Sequence, residues 1–169
     1  MLLEIPQLLN QAQLDKIHEL LRPARFVDGK LTAGRVASQV KNNEELAQEP
    51  EMLQRLYRIV MASVGHSEIF RSAALPARVA DFIFARYQPG MRYGDHVDDP
   101  IMGQGPKFRT DVSMTIFLND PQAYEGGELV IARRLASSRS SCRRAMPWFT
   151  RQPACTGSPK SRVVNGSWR

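Results

Sequence analysis

The chain has 169 residues, 43% hydrophobic and 24% charged, which is typical of one soluble globular domain with its own core. No apolar run approaches the length of a membrane span. The first residues lack the basic and apolar regions of a signal peptide. We therefore expect a cytoplasmic protein with no membrane partner.

The net charge of +6 could suggest a nucleic-acid-binding protein, but its distribution argues against one. Residues 132–169 contain eight arginines, one lysine and no acidic residue, a net charge of +9. Residues 1–131 carry a net charge of −3. The two cysteines, Cys142 and Cys155, also lie in the basic segment, and two cysteines do not make a disulfide framework. The composition therefore changes abruptly near Ile131, and no nucleic-acid partner is expected for the larger part.

Two amphipathic helices are predicted in the first half of the chain. Asn10 can cap the first helix and Pro23 would stop it, while Gly65 is an end signal for the second. Between them, residues 26–40 are predicted to be strand or loop. The apolar positions recur at helical spacing: Leu14, Ile17, Leu20 and Leu21 in the first helix, and Met52, Leu53, Leu56, Ile59, Val60 and Val64 in the second. Such stripes predict packing into a core.

The second half changes to short strands separated by turns. Residues 79–87 are rich in aromatic and branched side chains and end at the turn Gln88-Pro89-Gly90. Residues 109–118 place Val112, Met114, Ile116 and Leu118 in period-two alternation, which indicates a half-buried strand. A Gly-Gly pair leads into a further strand at 128–131. Helices followed by such strands predict an α+β protein, with N-terminal helices packed on one sheet of an antiparallel sandwich or jelly roll.

His96 and Asp98 form the candidate catalytic and metal-binding motif. In an extended segment, residues i and i+2 point to the same face, so an imidazole and a carboxylate converge. They would supply two of the three ligands of a two-histidine, one-carboxylate triad, which binds iron(II) and leaves open positions for other ligands. A surface turn is the alternative, favoured by Asp95, Asp99 and Pro100 nearby.

The residues around the motif carry a family resemblance. The run Tyr87-Gln-Pro-Gly90-Met-Arg-Tyr93-Gly-Asp-His96-Val-Asp98 resembles the Tyr-x-x-Gly-x-x-Tyr-x-x-His-x-Asp pattern of prolyl and lysyl hydroxylase-type dioxygenases. Residues 109–119 and 124–130 are similar to the next two strands of that core. The closest resemblance is to the bacterial PKHD-type hydroxylases, over residues 1–131.

The resemblance implies an iron(II)- and 2-oxoglutarate-dependent dioxygenase on a double-stranded β-helix, or jelly roll. Oxygen is the second co-substrate, and ascorbate is a further cofactor that the family allows. The reaction converts 2-oxoglutarate to succinate and hydroxylates a C–H bond of a small-molecule or peptide substrate. His96 and Asp98 would be the first two iron ligands. Tyr87 would lie near 2-oxoglutarate, although a packed aromatic on a strand is an equally good role for it.

The family pattern breaks after Ile131. The family requires a second histidine in a Leu-His-Arg-Val-like segment, followed by an arginine that holds the far carboxylate of 2-oxoglutarate. This chain has no histidine after His96. His18 and His66 lie upstream, on the wrong elements, and are expected to be ordinary surface or boundary residues. We therefore expect the activity of this chain to be abolished or severely reduced.

Reading the codons of the basic segment one base out of frame accounts for the missing residues. When the last base of each codon is joined to the first two of the next, Met146-Pro147 must give alanine, and Cys155-Thr156 gives tyrosine or histidine. With suitable synonymous codons, residues 136–167 spell a family-like string with histidine at that junction and arginine near Asn165-Gly166. We interpret the segment as the product of a one-base frameshift just after Ile131. An arginine/serine-rich nucleic-acid arm is the alternative interpretation.

The chain is therefore predicted to have three parts. Residues 1–75 form a helical and strand support region, 76–131 the front part of the dioxygenase core, and 132–169 an aberrant basic tail. Because the tail replaces strands that close the family's barrel, we expect an incomplete barrel with unpaired sheet edges and a largely disordered tail. A non-enzymatic cupin-like binding module is the second functional hypothesis.

Overall fold

The computed structural model describes residues 2–103, 105–131, 140–142, 148–150 and 163–168. Its α-helices are α1 Gln11–Leu21, α2 Ala37–Val40, α3 Pro50–Val64 and α4 Glu68–Ala74. Its strands are β1 Leu2–Glu4, β2 Phe26–Asp28, β3 Lys41–Asn42, β4 Glu44–Leu46, β5 Ile83–Arg86, β6 Arg92–Tyr93, β7 Ile101–Met102, β8 Phe108–Arg109, β9 Val112–Phe117, β10 Leu129–Ile131, β11 Ser140–Cys142, β12 Trp148–Thr150 and β13 Val163–Trp168. Short 3-10 turns occupy Gly29–Thr32 and Pro121–Ala123.

The strands form one large sheet and three small ladders. The large sheet has seven strands in the order β1-β12-β9-β13-β5-β4-β2, and every adjacent pair in it is antiparallel. The ladders are β10–β11, β3–β6 and β7–β8. The predicted combination of helices with an antiparallel jelly-roll sheet is confirmed, and the described strands do not close into a barrel.

Both predicted helices are present, with the predicted ends. Asn10 caps α1 through a reciprocal pair of hydrogen bonds with Gln13, which satisfies two otherwise unpaired groups of the first turn. In α3, Pro50 stands in the first turn, where its missing N–H costs nothing, and Gly65 ends the helix. The buried residues of the two helices are Ile17, Leu20 and Leu21 in α1 and Leu56, Val60 and Val64 in α3.

Strand β9 separates the core from the opposite side of the sheet. Met114 and Ile116 are 1% and 2% exposed and share one hydrophobic cluster with the buried residues of α1 and α3. Ser113 lies between such positions and therefore points the other way. The predicted alternation is confirmed at Val112, Met114, Ile116 and Leu118, all of which are buried. The helices thus cover one face of the sheet and leave the other for a site.

Some elements differ from the sequence-based expectations. Helix α4, capped by the Ser67 side chain, was not predicted, because its seven residues are too few for a periodic signal. The strand expected over 79–87 is confined to β5, and the strand expected over 109–118 is interrupted before β9. Residues 26–40 contain the strand β2, a 3-10 turn and the short helix α2, so the prediction of strand or loop is wrong for Ala37–Val40.

The expectation that the sheet edges next to the basic segment stay unpaired is wrong for β9. The backbones of β12 and β13 pair with it on either side. Ladder hydrogen bonds use only backbone groups, so any sequence without prolines can form them. Trp148-Phe149 and Val163-Val164 are also residue types that favour strands. The expectation of disorder concerns mainly residues 132–139, 143–147 and 151–162, which lie outside the described residues.

Within the part of the chain that the structure describes, no helix is both long enough and apolar enough to cross a bilayer.

The packing of α3 on the sheet predicts a large cost for truncating its central residue. Leu56 is fully buried, so Leu56→Ala should lower the free energy of unfolding by about 2–5 kcal/mol, measured by urea denaturation. Leu31→Ala is the matched control, since Leu31 is 75% exposed, and its effect should stay within about 0.5 kcal/mol. Equal effects of the two substitutions would contradict the described core.

Candidate metal site

A short ladder brings the predicted motif into position. Strand β6 pairs with β3 so that Tyr93 lies opposite Lys41, and the Gly94 N–H donates to the Val40 carbonyl at 2.8 Å. The chain leaves the strand at this point, so only the first residue of the extended segment expected over 93–98 is a strand residue. Even so, His96 Nε2 and Asp98 Oδ1 are 3.4 Å apart. The predicted convergence of imidazole and carboxylate is present in the structure.

His96 is held by a hydrogen bond that fixes its tautomer. Its Nδ1 lies 2.8 Å from the Gly94 carbonyl oxygen, and because a carbonyl can only accept, Nδ1 must carry the donated hydrogen. In the neutral ring, Nε2 then holds the lone pair and faces Asp98. A metal-ligating histidine is commonly oriented by this kind of hydrogen bond. The side chain is only 7% exposed.

Asp98 is held in its ionised form by its neighbours. Its Oδ2 accepts a hydrogen bond from Ser113 Oγ at 2.5 Å. Burial alone would raise the pKa of Asp98, but the adjacent His96 ring and the hydrogen bond from Ser113 outweigh burial and hold the pKa below its usual value. Ser113 lies on the face of β9 opposite Met114, so the strand that builds the core also positions this carboxylate.

Tyr87 is half-buried and lies near Asn43, Glu45 and Tyr93. Burial raises the pKa of its hydroxyl well above the usual range, and the nearby Glu45 carboxylate adds to the effect, while a hydrogen bond with Asn43 opposes it. The phenol therefore stays protonated and can donate a hydrogen bond at neutral pH. Tyr93 is also close enough to influence it. The structure thus groups Tyr87 with Tyr93, whose ring contacts His96.

A buried ion pair next to these tyrosines was missed by the sequence reasoning. Lys41 and Glu45 are 6% and 3% exposed, and the Lys41 ammonium group contacts the Glu45 carboxylate directly. Thr32 Oγ1 donates to Glu45 at 2.5 Å, and Lys41 donates to Thr32 at 3.1 Å. The Lys-x-x-x-Glu spacing is visible in the sequence. It signals a side-chain pair only on a helix, and here β3 and β4 carry the two residues.

The other two histidines are placed as expected, away from the motif. His18 lies on α1, with Nε2 2.8 Å from the Leu118 carbonyl oxygen. His66 is exposed and its Nδ1 lies 2.8 Å from the Ala62 carbonyl oxygen. Each therefore has a local structural contact at the boundary or surface.

The donor set fits part of a metal site. A neutral imidazole nitrogen and an ionised carboxylate are ligand types suited to iron(II), and their 3.4 Å separation suits two ligands of one ion. Among the described residues, no group of three or more His, Cys, Asp or Glu side chains is arranged to hold a metal. His96 and Asp98 are therefore two candidate ligands among the described residues.

Curated relatives align with the larger part of the chain. A PKHD-type hydroxylase of Thioalkalivibrio sulfidiphilus is 50% identical over 132 residues, and one of Synechococcus elongatus is 45% identical over 132 residues. Each alignment covers 78% of this chain and 59% of the relative. The chain thus spans about three-fifths of the length of the curated relatives it matches. No protein-family model matches the chain.

Solved structures resemble the whole described fold. A prolyl-4-hydroxylase of Pseudomonas putida superposes with a TM-score of 0.62 at 13% identity, covering 99% of this chain and 92% of that one. A prolyl hydroxylase of Trichoplax adhaerens, in complex with a hypoxia-inducible-factor peptide, gives 0.62 at 14% identity, covering 99% and 82%. HygX of Streptomyces hygroscopicus, with nickel, 2-oxoglutarate and hygromycin B bound, gives 0.58 at 13% identity, covering 99% and 76%.

The fold is therefore that of the prolyl-hydroxylase-like 2-oxoglutarate oxygenases. Over the 132 aligned residues, the chain is similar to the PKHD-type hydroxylases. The aligned length of 132 residues nearly equals the stretch that precedes the basic segment.

The hydrogen bond from Ser113 predicts how Asp98 titrates in the metal-free protein. Because the pKa of Asp98 is depressed in the folded state, its contribution to stability is present above the unfolded value of about 4 and is lost as the pH falls through the lower folded value. Ser113→Ala should raise the folded pKa and weaken this contribution. The measurements are carboxyl ¹³C chemical shifts and urea unfolding between neutral and acidic pH.

Ser113→Thr is the control for that measurement, since it retains the hydroxyl group. It should leave the titration of Asp98 close to that of the unmodified protein. An unchanged titration in Ser113→Ala would show that the hydrogen bond does not hold the carboxylate in its ionised form.

Proposed function

We propose that the jelly roll of this chain is built for iron(II)- and 2-oxoglutarate-dependent hydroxylation of a C–H bond. The observation that carries the proposal is the convergence of His96 Nε2 and Asp98 Oδ1 at 3.4 Å on the face of the sheet opposite the helices. The similarity of the aligned part to PKHD-type hydroxylases and the fold of its structural neighbours support it.

The residues of the site have separate roles in this proposal. His96 and Asp98 would hold iron(II), which supplies the activation of oxygen when it is bound. The Gly94 carbonyl keeps the Nδ1 hydrogen of His96 in place and so presents Nε2 to the ion. Ser113 keeps the second oxygen of Asp98 occupied, which leaves Oδ1 directed toward His96. Tyr87 would donate its hydroxyl hydrogen to 2-oxoglutarate.

The substrate class is a small molecule or a peptide side chain. Among the structural neighbours, one is in complex with a peptide fragment and another with hygromycin B. Both kinds of substrate are therefore compatible with this fold.

We further propose that the chain in its present sequence turns over 2-oxoglutarate poorly or not at all. Its residues supply two ligands, and no histidine follows His96. Iron(II) held by two protein ligands binds weakly, since each lost ligand removes one bond to the ion. The arginine that would bind the far carboxylate of 2-oxoglutarate is encoded only in the shifted reading frame, near Asn165-Gly166.

A non-enzymatic cupin-like binding module is the second candidate function. The observation that favours it is that, among the described residues, no three His, Cys, Asp or Glu side chains are grouped to hold a metal, so the site could bind a metal or small molecule without turnover. Succinate formation separates the two functions.

The test compares this chain with a frame-restored chain, in which the encoding DNA after Ile131 is read one base out of phase. Each is incubated with iron(II), 2-oxoglutarate and oxygen, and succinate is measured. We expect succinate from the frame-restored chain and background from the present one. Succinate from neither would favour the binding module, and rapid turnover by the present chain would contradict the proposed loss of activity.

Substitutions in the frame-restored chain test the ligand assignment. His96→Ala and Asp98→Ala should each reduce succinate formation to background, because each removes a metal ligand. Asp95→Ala is the matched control, since Asp95 is an exposed acidic residue next to the motif, and it should retain turnover. Retained turnover in His96→Ala would remove this residue from the site.

A further inference from the structure

The ring of Tyr93 lies flat against the imidazole of His96. The two ring centroids are 3.7 Å apart and the planes differ by 9°. On Tyr93 there is a second contact, since the Lys41 ammonium nitrogen is 5.3 Å from the centroid of the phenol ring. Lys41 and His96 therefore both contact the ring of Tyr93, which connects the buried ion pair with the candidate metal ligand. We refer to these three residues as the stack.

The base of this stack is fixed in three ways. The backbone of Lys41 is paired with that of Tyr93 through β3 and β6. The ammonium group is bound to the Glu45 carboxylate and donates to Thr32. Both charged groups are buried, so moving either one would leave an uncompensated charge away from water. The cation is thus held in one place, where the face of an aromatic ring attracts it.

The stack supplies a constraint that the hydrogen bonds of His96 do not. The bond from Nδ1 to the Gly94 carbonyl fixes the tautomer, yet the ring can still rotate about the N–H···O direction. A parallel aromatic face at 3.7 Å blocks that rotation, because turning the imidazole would drive its atoms into the phenol. The direction of Nε2 is then determined in all three dimensions.

We propose that Tyr93 is a positioning residue, whose ring face sets the plane of the His96 imidazole and is itself held by the buried Lys41–Glu45 pair. The role toward a metal rests on the proposed function, whereas the orientation of the ring does not. The face of the ring carries the effect, so the hydroxyl of Tyr93 is dispensable for it.

The charge state of Tyr93 is consistent with this role. Burial raises the pKa of its hydroxyl to about 12, with further contributions from the Asp98 and Glu45 carboxylates. The ring is therefore an uncharged phenol at neutral pH.

Nuclear magnetic resonance of the histidine ring protons tests the orientation in the metal-free chain. The chain has three histidines, and the His96 signals are assigned by their loss in His96→Gln. A ring stacked at 3.7 Å should shift them upfield. We expect Tyr93→Phe to keep this shift and Tyr93→Leu to lose it. A His96 shift that survives in folded Tyr93→Leu would overturn the proposal.

Tyr57→Leu is the matched control for general loss of packing. Tyr57 is a half-buried aromatic on α3 whose ring lies 5.5 Å from that of Phe82. Its substitution should lower the unfolding midpoint and leave the His96 signals in place. If Tyr57→Leu moved them as far as Tyr93→Leu does, the shift would report on global packing and the proposal would fall.

The anchoring by the ion pair is tested with a double substitution that leaves no orphaned charge. Lys41→Met with Glu45→Gln removes both charges together, which buried sites tolerate far better than the loss of one. We expect the upfield shift of His96 to be partly lost. If the folded double variant kept the full upfield shift of the His96 signals, the position of the Tyr93 ring would not depend on the Lys41–Glu45 ion pair.

Manganese(II) used as a paramagnetic probe connects the orientation to the metal. It should broaden the His96 signals of the unmodified chain before those of His18 and His66. Misplacing a ligand typically costs 10–100-fold in affinity, so Tyr93→Leu should need about tenfold more manganese(II) for the same broadening, and Tyr93→Phe about the same amount. If Tyr93→Leu and the unmodified chain needed the same amount of manganese(II), the proposed role of Tyr93 toward the metal would be refuted. No selective broadening in any chain would refute metal binding at His96 in this chain, while the ring shift would still decide the orientation of the imidazole.

Discussion

The alternation of side chains along β9 is the constraint on which the rest of the structure depends. In a strand, successive residues face opposite sides, so burying Met114 and Ile116 under the helices forces Ser113 to the other side. There its hydroxyl group reaches Asp98. A register slip of one residue would exchange the two faces and bring the hydroxyl into the core. Hydrophobic burial therefore fixes the register, and the register places the hydrogen bond that orients the candidate ligand.

The face opposite the helices carries polar groups that are expensive to bury. Lys41 and Glu45 lose their water, and a buried ion pair recovers that cost only with good geometry and further hydrogen bonds. Thr32 supplies one such bond to each partner. An apolar pair of the same volume would serve stability at least as well. The charged pair is better explained by its contact with the ring of Tyr93, which an apolar side chain could not attract in the same way.

The sequence predicts those features that depend on neighbours in the chain. The cap at Asn10, the end of α3 at Gly65 and the alternation in β9 are local patterns, and all three are present. The convergence of His96 and Asp98 is likewise a property of two residues in one segment. The contact of Lys41 with the ring of Tyr93 joins residues 52 positions apart in the sequence, and no periodicity predicts it. Helix α4 was missed because a two-turn helix has little periodicity to detect.

The pairing of β12 and β13 with β9 shows why the fold and the site respond differently to a change of sequence. A ladder uses N–H and C=O groups that every residue except proline provides in full, so Trp148–Thr150 and Val163–Trp168 can occupy strand positions in the sheet. Coordination requires a particular donor atom, and neither strand contains a histidine. Likeness of the backbone to the hydroxylase fold is therefore weaker evidence for catalysis than the side chains of 96 and 98. A jelly-roll sheet can thus persist in a sequence that places no histidine on these two strands.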